Sequence, residues 1–247
     1  MLEIIERRVR DKKVVTEPLQ LFQQQGRALA PMADSRCDLC GECVPACPTS
    51  AISIEGDWSV DAGKCLFCGD CLPACPRDAL AFSVEVPAVS DRSSLVLRRN
   101  VPLPELRLKL RDEVRKVLGR SLAIREVDAG SCNGCEVEVN SLSNPMYDLE
   151  RFGIKIVASP RHADMLLVTG PVTRNMLPAL MKTYNAMPEP RLVAAMGTCA
   201  ISGGPFGGTY AAGNGVAEAL PVDIYIPGCP PHPRTVLLAL LEALGRL

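Results

Sequence analysis

No run of apolar residues in this sequence approaches the roughly 18 that a membrane-spanning helix requires, although 47% of its 247 residues are hydrophobic. Net charge is nearly absent, with 27 Lys and Arg against 28 Asp and Glu. That balance argues against a nucleic-acid binder and against a strongly basic membrane protein. Residues 1–13 are charged throughout and carry no apolar signal core, so a secretory leader is not expected. The glycine-rich run 202–215 lacks the Gly-Lys-Ser/Thr ending of a phosphate loop and reads as an irregular segment instead. Histidine is scarce, with His162 and His232 alone. Cysteine is the exception, at twelve residues. Disulfides need an oxidising compartment, and without a leader the twelve read as thiolate ligands in a reducing cytoplasm.

Eight of them form an internal repeat. Cys37-x2-Cys40-x2-Cys43-x3-Cys47-Pro48 returns 28 positions later as Cys65-x2-Cys68-x2-Cys71-x3-Cys75-Pro76. In this pattern three closely spaced cysteines wrap one cluster while the fourth, before proline, reaches across to the other. The spacing therefore assigns Cys37, Cys40, Cys43 and Cys75 to one [4Fe–4S] cluster, and Cys47, Cys65, Cys68 and Cys71 to a second. Zinc knuckles need paired Cys-x2-Cys units, not a third cysteine at the same step followed by Cys-Pro. Residues 34–86 resemble bacterial two-cluster ferredoxins. Between the two copies, Trp58-Ser-Val-Asp61 predicts a short strand.

Residues 92–125 hold ten Arg and Lys against three acids, whereas 34–91 hold ten acids against three Arg and Lys. Leu106, Leu110, Val114 and Val117 recur at helical spacing, and Pro104 suits a first turn, which predicts an amphipathic helix over 104–118. Its charges fit either a solvated face or a docking surface for an acidic partner. Beyond 120, short apolar runs at 122–127, 154–157, 165–169, 192–196 and 223–226 alternate with helix-compatible stretches at 135–143, 173–186 and 233–245. This alternation predicts an α/β domain with a doubly wound, mostly parallel sheet.

The remaining cysteines, Cys132, Cys135, Cys199 and Cys229, each follow a predicted strand. Loops at the carboxyl ends of parallel strands converge on one crevice, so these four would form a four-thiolate metal site. Gly134, Gly197 and Gly228 would let the backbone turn tightly around an inorganic core. Each cysteine alone also fits a buried structural role, a reading that fails for four at strand ends.

The stretches Cys132-Asn-Gly-Cys-Glu-Val-Glu138 and Pro221-Val-Asp-Ile-Tyr-Ile-Pro-Gly-Cys-Pro-Pro-His-Pro233 resemble the small subunit of membrane-bound, energy-converting [NiFe] hydrogenases of the formate hydrogenlyase type. They are also similar to the related 20-kDa-type subunit of complex I. Glu150-Arg-Phe-Gly-Ile-Lys155, Ser159-Pro-Arg-His-Ala-Asp164 and Thr169-Gly-Pro-Val-Thr173 agree with both. The resemblance implies a flavodoxin-like fold carrying a proximal [4Fe–4S] cluster on Cys132, Cys135, Cys199 and Cys229, hence three clusters in all. The complex I subunit uses adjacent cysteines at the first position, so Cys132-x2-Cys135 favours the hydrogenase type over a quinone oxidoreductase. The ferredoxin unit at the N-terminus departs from these small subunits, in which it normally belongs to a separate polypeptide.

The expected organisation is an extension (1–33), a two-cluster ferredoxin-like domain (34–91), a basic linker (92–120) and the small-subunit-like domain (121–247). The resemblance implies electron relay to or from a [NiFe] large subunit, with bond-making chemistry in that partner. It also implies membrane subunits and, as electron donor, a soluble carrier or a formate dehydrogenase module. Attachment would be peripheral, on the cytoplasmic face, through those partners. Glu136 and Glu138 are candidates for proton transfer or partner contact, although acids are also favoured on a first helical turn; His162 could orient a cluster sulfur or carry a proton, but reads better as a hydrogen-bonding loop residue. His232 reads as structural.

Overall fold

In a computed structural model of the chain, residues 29–99, 101, 102 and 121–246 are described. The amphipathic segment 104–118 lies outside them.

The C-terminal part is built on five parallel strands: β6 (Leu122–Asp128), β7 (Ile154–Ile156), β8 (Met165–Thr169), β9 (Leu192–Met196) and β10 (Ile224–Ile226). Their spatial order is β10-β9-β8-β6-β7, which makes this a flavodoxin-like, doubly wound sheet whose order reverses between β6 and β8. β8 and β9 are buried at every position, as strands covered on both faces must be. That is why Met-Leu-Leu-Val-Thr and Leu-Val-Ala-Ala-Met show no alternation. Acids just before two strands fix the register. Asp164 accepts the Ala123 N–H at 2.8 Å and Asp223 accepts the Val193 N–H at 2.9 Å.

Helices α1 (Gly134–Ser141), α2 (Leu177–Asn185), α3 (Thr198–Ser202) and α4 (Pro233–Ala243) cover the sheet. α2 starts at Leu177 rather than near 173 because Pro178 falls in its first turn, where a missing N–H costs nothing. His232 caps α4, its Nδ1 accepting the Arg234 N–H at 3.2 Å.

The N-terminal part holds two small antiparallel sheets. β1 (Leu29–Ala33) pairs with β4 (Leu80–Glu85), and β2 (Ile52–Ile54), β3 (Trp58–Asp61) and β5 (Val96–Arg98) form the other. The three-stranded sheet thus takes in residues of the basic stretch beyond 91. Arg92 clasps Asp61 with two bonds of 2.8 and 2.7 Å, a bidentate geometry stronger than a single contact. One hydrophobic core joins both parts, with Trp58, Val60 and Leu95 from the first meeting Val127, Ile201 and Tyr225 from the second.

Candidate metal centres

The sequence repeat is also a backbone repeat. Leu39 and Phe67, each two residues after the first cysteine, adopt φ of 61° and 56°, followed by Gly41 and Gly69 at 85° and 86°. Val44 N donates to Gly41 O and Leu72 N to Gly69 O, both at 2.9 Å. The Cys-Pro cysteines also match: Ala51 N donates to Cys47 Sγ at 3.2 Å and Ala79 N to Cys75 Sγ at 3.4 Å. Phe67 N donates to Cys65 Sγ at 3.3 Å. Such N–H groups aimed at sulfur stabilise thiolate and tune a bound cluster.

Burial pushes the Cys43 thiol up, Trp58 opposes it, and the charges of Cys37 and Cys75 add to the rise. Burial pushes Cys65 up to about 12 and Cys71 up to about 11, and both feel Cys47 and Cys68. Cys75 thus lies within electrostatic reach of the first motif and Cys47 within reach of the second. Cys40 is exposed, and its neighbour Asp38 pairs with Arg77 at 3.0 Å. Arg99 donates to Cys37 O at 2.9 Å while pairing with Asp57 at 2.8 Å.

The other four cysteines sit at the carboxyl ends of β6, β9 and β10, as parallel-sheet topology dictates. Burial raises Cys135 far above an ordinary thiol, helped by Glu136, Cys199, Cys229 and Cys132. Burial likewise pushes Cys199 up to about 11, with Cys229 and Cys132 adding to it. Cys229 is raised by burial, by Cys132 and by Cys68 of the ferredoxin-type part. The two parts therefore meet where their cysteines are.

The residues fit an inorganic cluster. A Cβ on Gly197 would lie 2.6 Å from Cys135 Sγ, and one on Gly204 would lie 3.0 Å from Cys199 Sγ, so the backbone leaves space around the sulfurs that any side chain would fill. Trp58 is fully buried and its indole N–H makes no hydrogen bond, yet it favours the Cys43 thiolate. Among the described residues, no three His, Cys, Asp or Glu side chains gather as one metal ion would require.

His162 is exposed in the turn Pro160–His162, three residues before β8. This is the amino end of the sheet, opposite the cysteines. His232 packs edge-on to Tyr147 with ring centres 6.3 Å apart. Glu136 lies in the first turn of α1 and accepts a bond from Thr169 Oγ1. Its second oxygen and one oxygen of Glu126 are buried without partners. Glu126, which sequence reasoning passed over, has its carboxyl pushed up to about 7 by burial and then by Glu136 and Asp128. Thr198 and Trp58 were also missed. Neither belongs to a cysteine motif, and only the fold brings each to a cysteine loop.

The fold and the cysteine pattern are those of an iron–sulfur protein. Residues 132–243 match the family described as NADH ubiquinone oxidoreductase, 20 Kd subunit, and residues 36–79 match the 4Fe-4S dicluster domain. Formate hydrogenlyase subunit 7 of Escherichia coli is 42% identical over 151 residues, 60% of this chain and 59% of that protein. The probable membrane-bound hydrogenase subunit mbhJ of Pyrococcus furiosus is 44% identical over 132 residues, 53% of this chain and 79% of that one. An NADH-quinone oxidoreductase subunit of Citrifermentans bemidjiense is 51% identical over 108 residues, 44% of this chain and 63% of that protein. The chain thus spans less than two thirds of the first and third of these relatives. It belongs to the 20 Kd subunit family of NADH ubiquinone oxidoreductase, as an oxidoreductase subunit of the hydrogenase and complex I type with a 4Fe-4S domain at its N-terminal side. Among the described residues no helix is long and apolar enough to cross a membrane.

Proposed function

We propose that this chain is the electron-transfer subunit of a membrane-associated [NiFe] hydrogenase-type complex, relaying electrons through three [4Fe–4S] clusters to or from the active site of a separate large subunit. The observation that carries the reading is the convergence of Cys132, Cys135, Cys199 and Cys229 at the carboxyl end of the sheet, with Cys68 within electrostatic reach of Cys229. A cluster bound there would supply one-electron exchange. The chain's part is to hold position and electrostatics. Burial raises the thiols of Cys43, Cys65, Cys71, Cys135, Cys199 and Cys229, so loading displaces protons that these thiols would keep when free. N–H groups of Phe67, Ala51 and Ala79 face the sulfurs of Cys65, Cys47 and Cys75.

The proposed ligand sets are Cys37, Cys40, Cys43 and Cys75; Cys47, Cys65, Cys68 and Cys71; and Cys132, Cys135, Cys199 and Cys229. The loop after α3 beside Cys199 carries Phe206 and Tyr210, 47% and 86% exposed, an apolar surface suited to the large subunit. Membrane subunits would anchor the complex peripherally on the cytoplasmic face. The relatives named as hydrogenlyase and membrane-bound hydrogenase subunits support this assembly. Identity to a quinone oxidoreductase subunit favours a second reading, against which the separated Cys132 and Cys135 stand. Purifying the native complex tests the choice. Co-purification of a nickel-containing subunit with hydrogen turnover is expected, whereas quinone reduction without nickel would favour the second reading.

A further inference from the structure

Thr198 opens α3 and is 1% exposed. Its hydroxyl lies 2.8 Å from Cys65 O and 3.1 Å from Gly228 O. Gly228 O already receives the backbone N–H of Thr198 at 2.8 Å. A hydroxyl has one proton, so that proton goes to the nearer and otherwise less satisfied acceptor, Cys65 O. One buried residue thus ties together three ligand loops: that of Cys65 through its hydroxyl, that of its own neighbour Cys199, and that of Cys229, which follows Gly228, through its backbone N–H.

The rest of the contact has the same character. One turn further along α3, Ser202 Oγ donates to Gly63 O at 2.9 Å. The surfaces meet so closely there that a Cβ on Gly63 would lie 2.8 Å from Ile201 Cγ2 and 2.7 Å from Arg92 Cζ. Asp61, held by Arg92, accepts the Gly63 N–H at 2.9 Å, which stiffens the ferredoxin side of the contact. Both hydroxyls of α3 therefore face carbonyls of the loop leading into Cys65.

We propose that Thr198 is the positioning residue that fixes the spacing between the Cys47, Cys65, Cys68 and Cys71 set and the Cys132, Cys135, Cys199 and Cys229 set. The proposal rests on the reading that both sets hold [4Fe–4S] clusters. Thr198 touches no cluster ligand with its side chain except through the Cys65 carbonyl. It acts by holding the two loops at one separation, and magnetic coupling between neighbouring reduced clusters falls steeply as that separation grows.

The test uses the full chain, anaerobically reconstituted and reduced with dithionite. The spin–spin splitting between the two clusters is assigned by its disappearance in Cys135→Ser. Thr198→Val keeps the side chain's shape but removes the donor and leaves the buried Cys65 carbonyl unsatisfied. It should retain wild-type iron while the splitting is lost or clearly narrowed. Thr198→Ser should restore it, and Ser202→Ala should narrow it to a smaller degree, which serves if the valine variant fails to fold. Wild-type splitting in an iron-replete Thr198→Val chain would overturn the proposal. So would iron loss confined to the C-terminal set, which would show that the hydroxyl serves the Cys229 loop through Gly228 instead. A wild-type chain that binds about eight iron, the content of two cubanes, would refute the three-cluster reading itself.

Discussion

Gly197 links β9 to α3 with φ 90° and ψ 157°, outside the range of ordinary side-chain-bearing residues. Gly197→Ala imposes two separate costs. The backbone conformation alone costs about 1–3 kcal/mol for alanine. The new Cβ would also sit 2.6 Å from Cys135 Sγ, so the sulfur must retreat until the pair reaches the 3.4 Å of ordinary contact. A displacement near 0.8 Å exceeds the ~0.5 Å within which a binding constellation must be held. Gly56→Ala separates the two costs: its φ is 79° and nothing lies within 4 Å of the added Cβ, so it bears only backbone strain of about 1–2 kcal/mol. Iron and sulfide after anaerobic reconstitution, read beside thermal unfolding, provide the assay. Gly56→Ala should lower the melting temperature but keep about twelve iron, and Gly197→Ala should fall to about eight, since each lost cubane removes four. A Gly197→Ala chain with a full complement and an unchanged C-terminal cluster signal would refute the argument that Cys135 is a ligand whose position Gly197 permits.

Cys135→Ser should lose the C-terminal cluster and hydrogen-linked turnover in the complex while electron paramagnetic resonance still shows both ferredoxin-type clusters; turnover near wild type with that cluster absent would contradict the relay. Trp58→Phe removes the buried indole N–H whose dipole favours the Cys43 thiolate and should lower the reduction potential of the Cys37, Cys40, Cys43 and Cys75 cluster, because the more negative, reduced form loses that dipole; redox titration checks the shift. Glu126 is raised in the fold from 4.5 to about 7, so its folded state disfavours the charged form and loses stability as pH climbs through that window. Glu126→Gln should match wild type in melting temperature below about pH 4.5 and exceed it above about pH 7, and a pH-independent difference would count against burial as the cause.

Much of this was written in the chain. Strands expected at 165–169 and 192–196 occur as Met165–Thr169 and Leu192–Met196, because unbroken apolar runs between turn residues leave a parallel core strand little freedom. Helices at 135–143 and 233–245 appear as Gly134–Ser141 and Pro233–Ala243. What stayed hidden depended on distant partners. α3 is five residues long between glycines, too short for any period to register. β1 and β5 exist because β4 and β3 offer them an edge, while Leu29-Ala-Pro-Met-Ala33 and Val96-Leu-Arg98 carry no strong pattern of their own. The cysteine repeat was legible because ligand spacing is a local constraint. The Thr198 contact was not, since Cys65 lies 133 residues away.

That long reach bears on why a ferredoxin unit in the same polypeptide matters physically. Val89 and Tyr225 exchange two backbone bonds, of 3.0 and 2.8 Å, along the edge strand β10, so the stretch leaving the ferredoxin-type part covers an edge that would otherwise offer unpaired groups. The shared core then continues from Trp58 and Leu95 into Ile201 and Tyr225. A domain joined only by a flexible linker would sample many separations from its neighbour, and relative motion is the default for a small polar interface. Here an apolar core, a backbone bridge, the buried Thr198 hydroxyl and the half-buried Ser202 hydroxyl act together. Moving one part against the other would expose apolar surface and strand the Cys65 carbonyl. The cysteine sets are thus fixed relative to one another by the same free energy that folds the chain, and their spacing is a property of this one polypeptide.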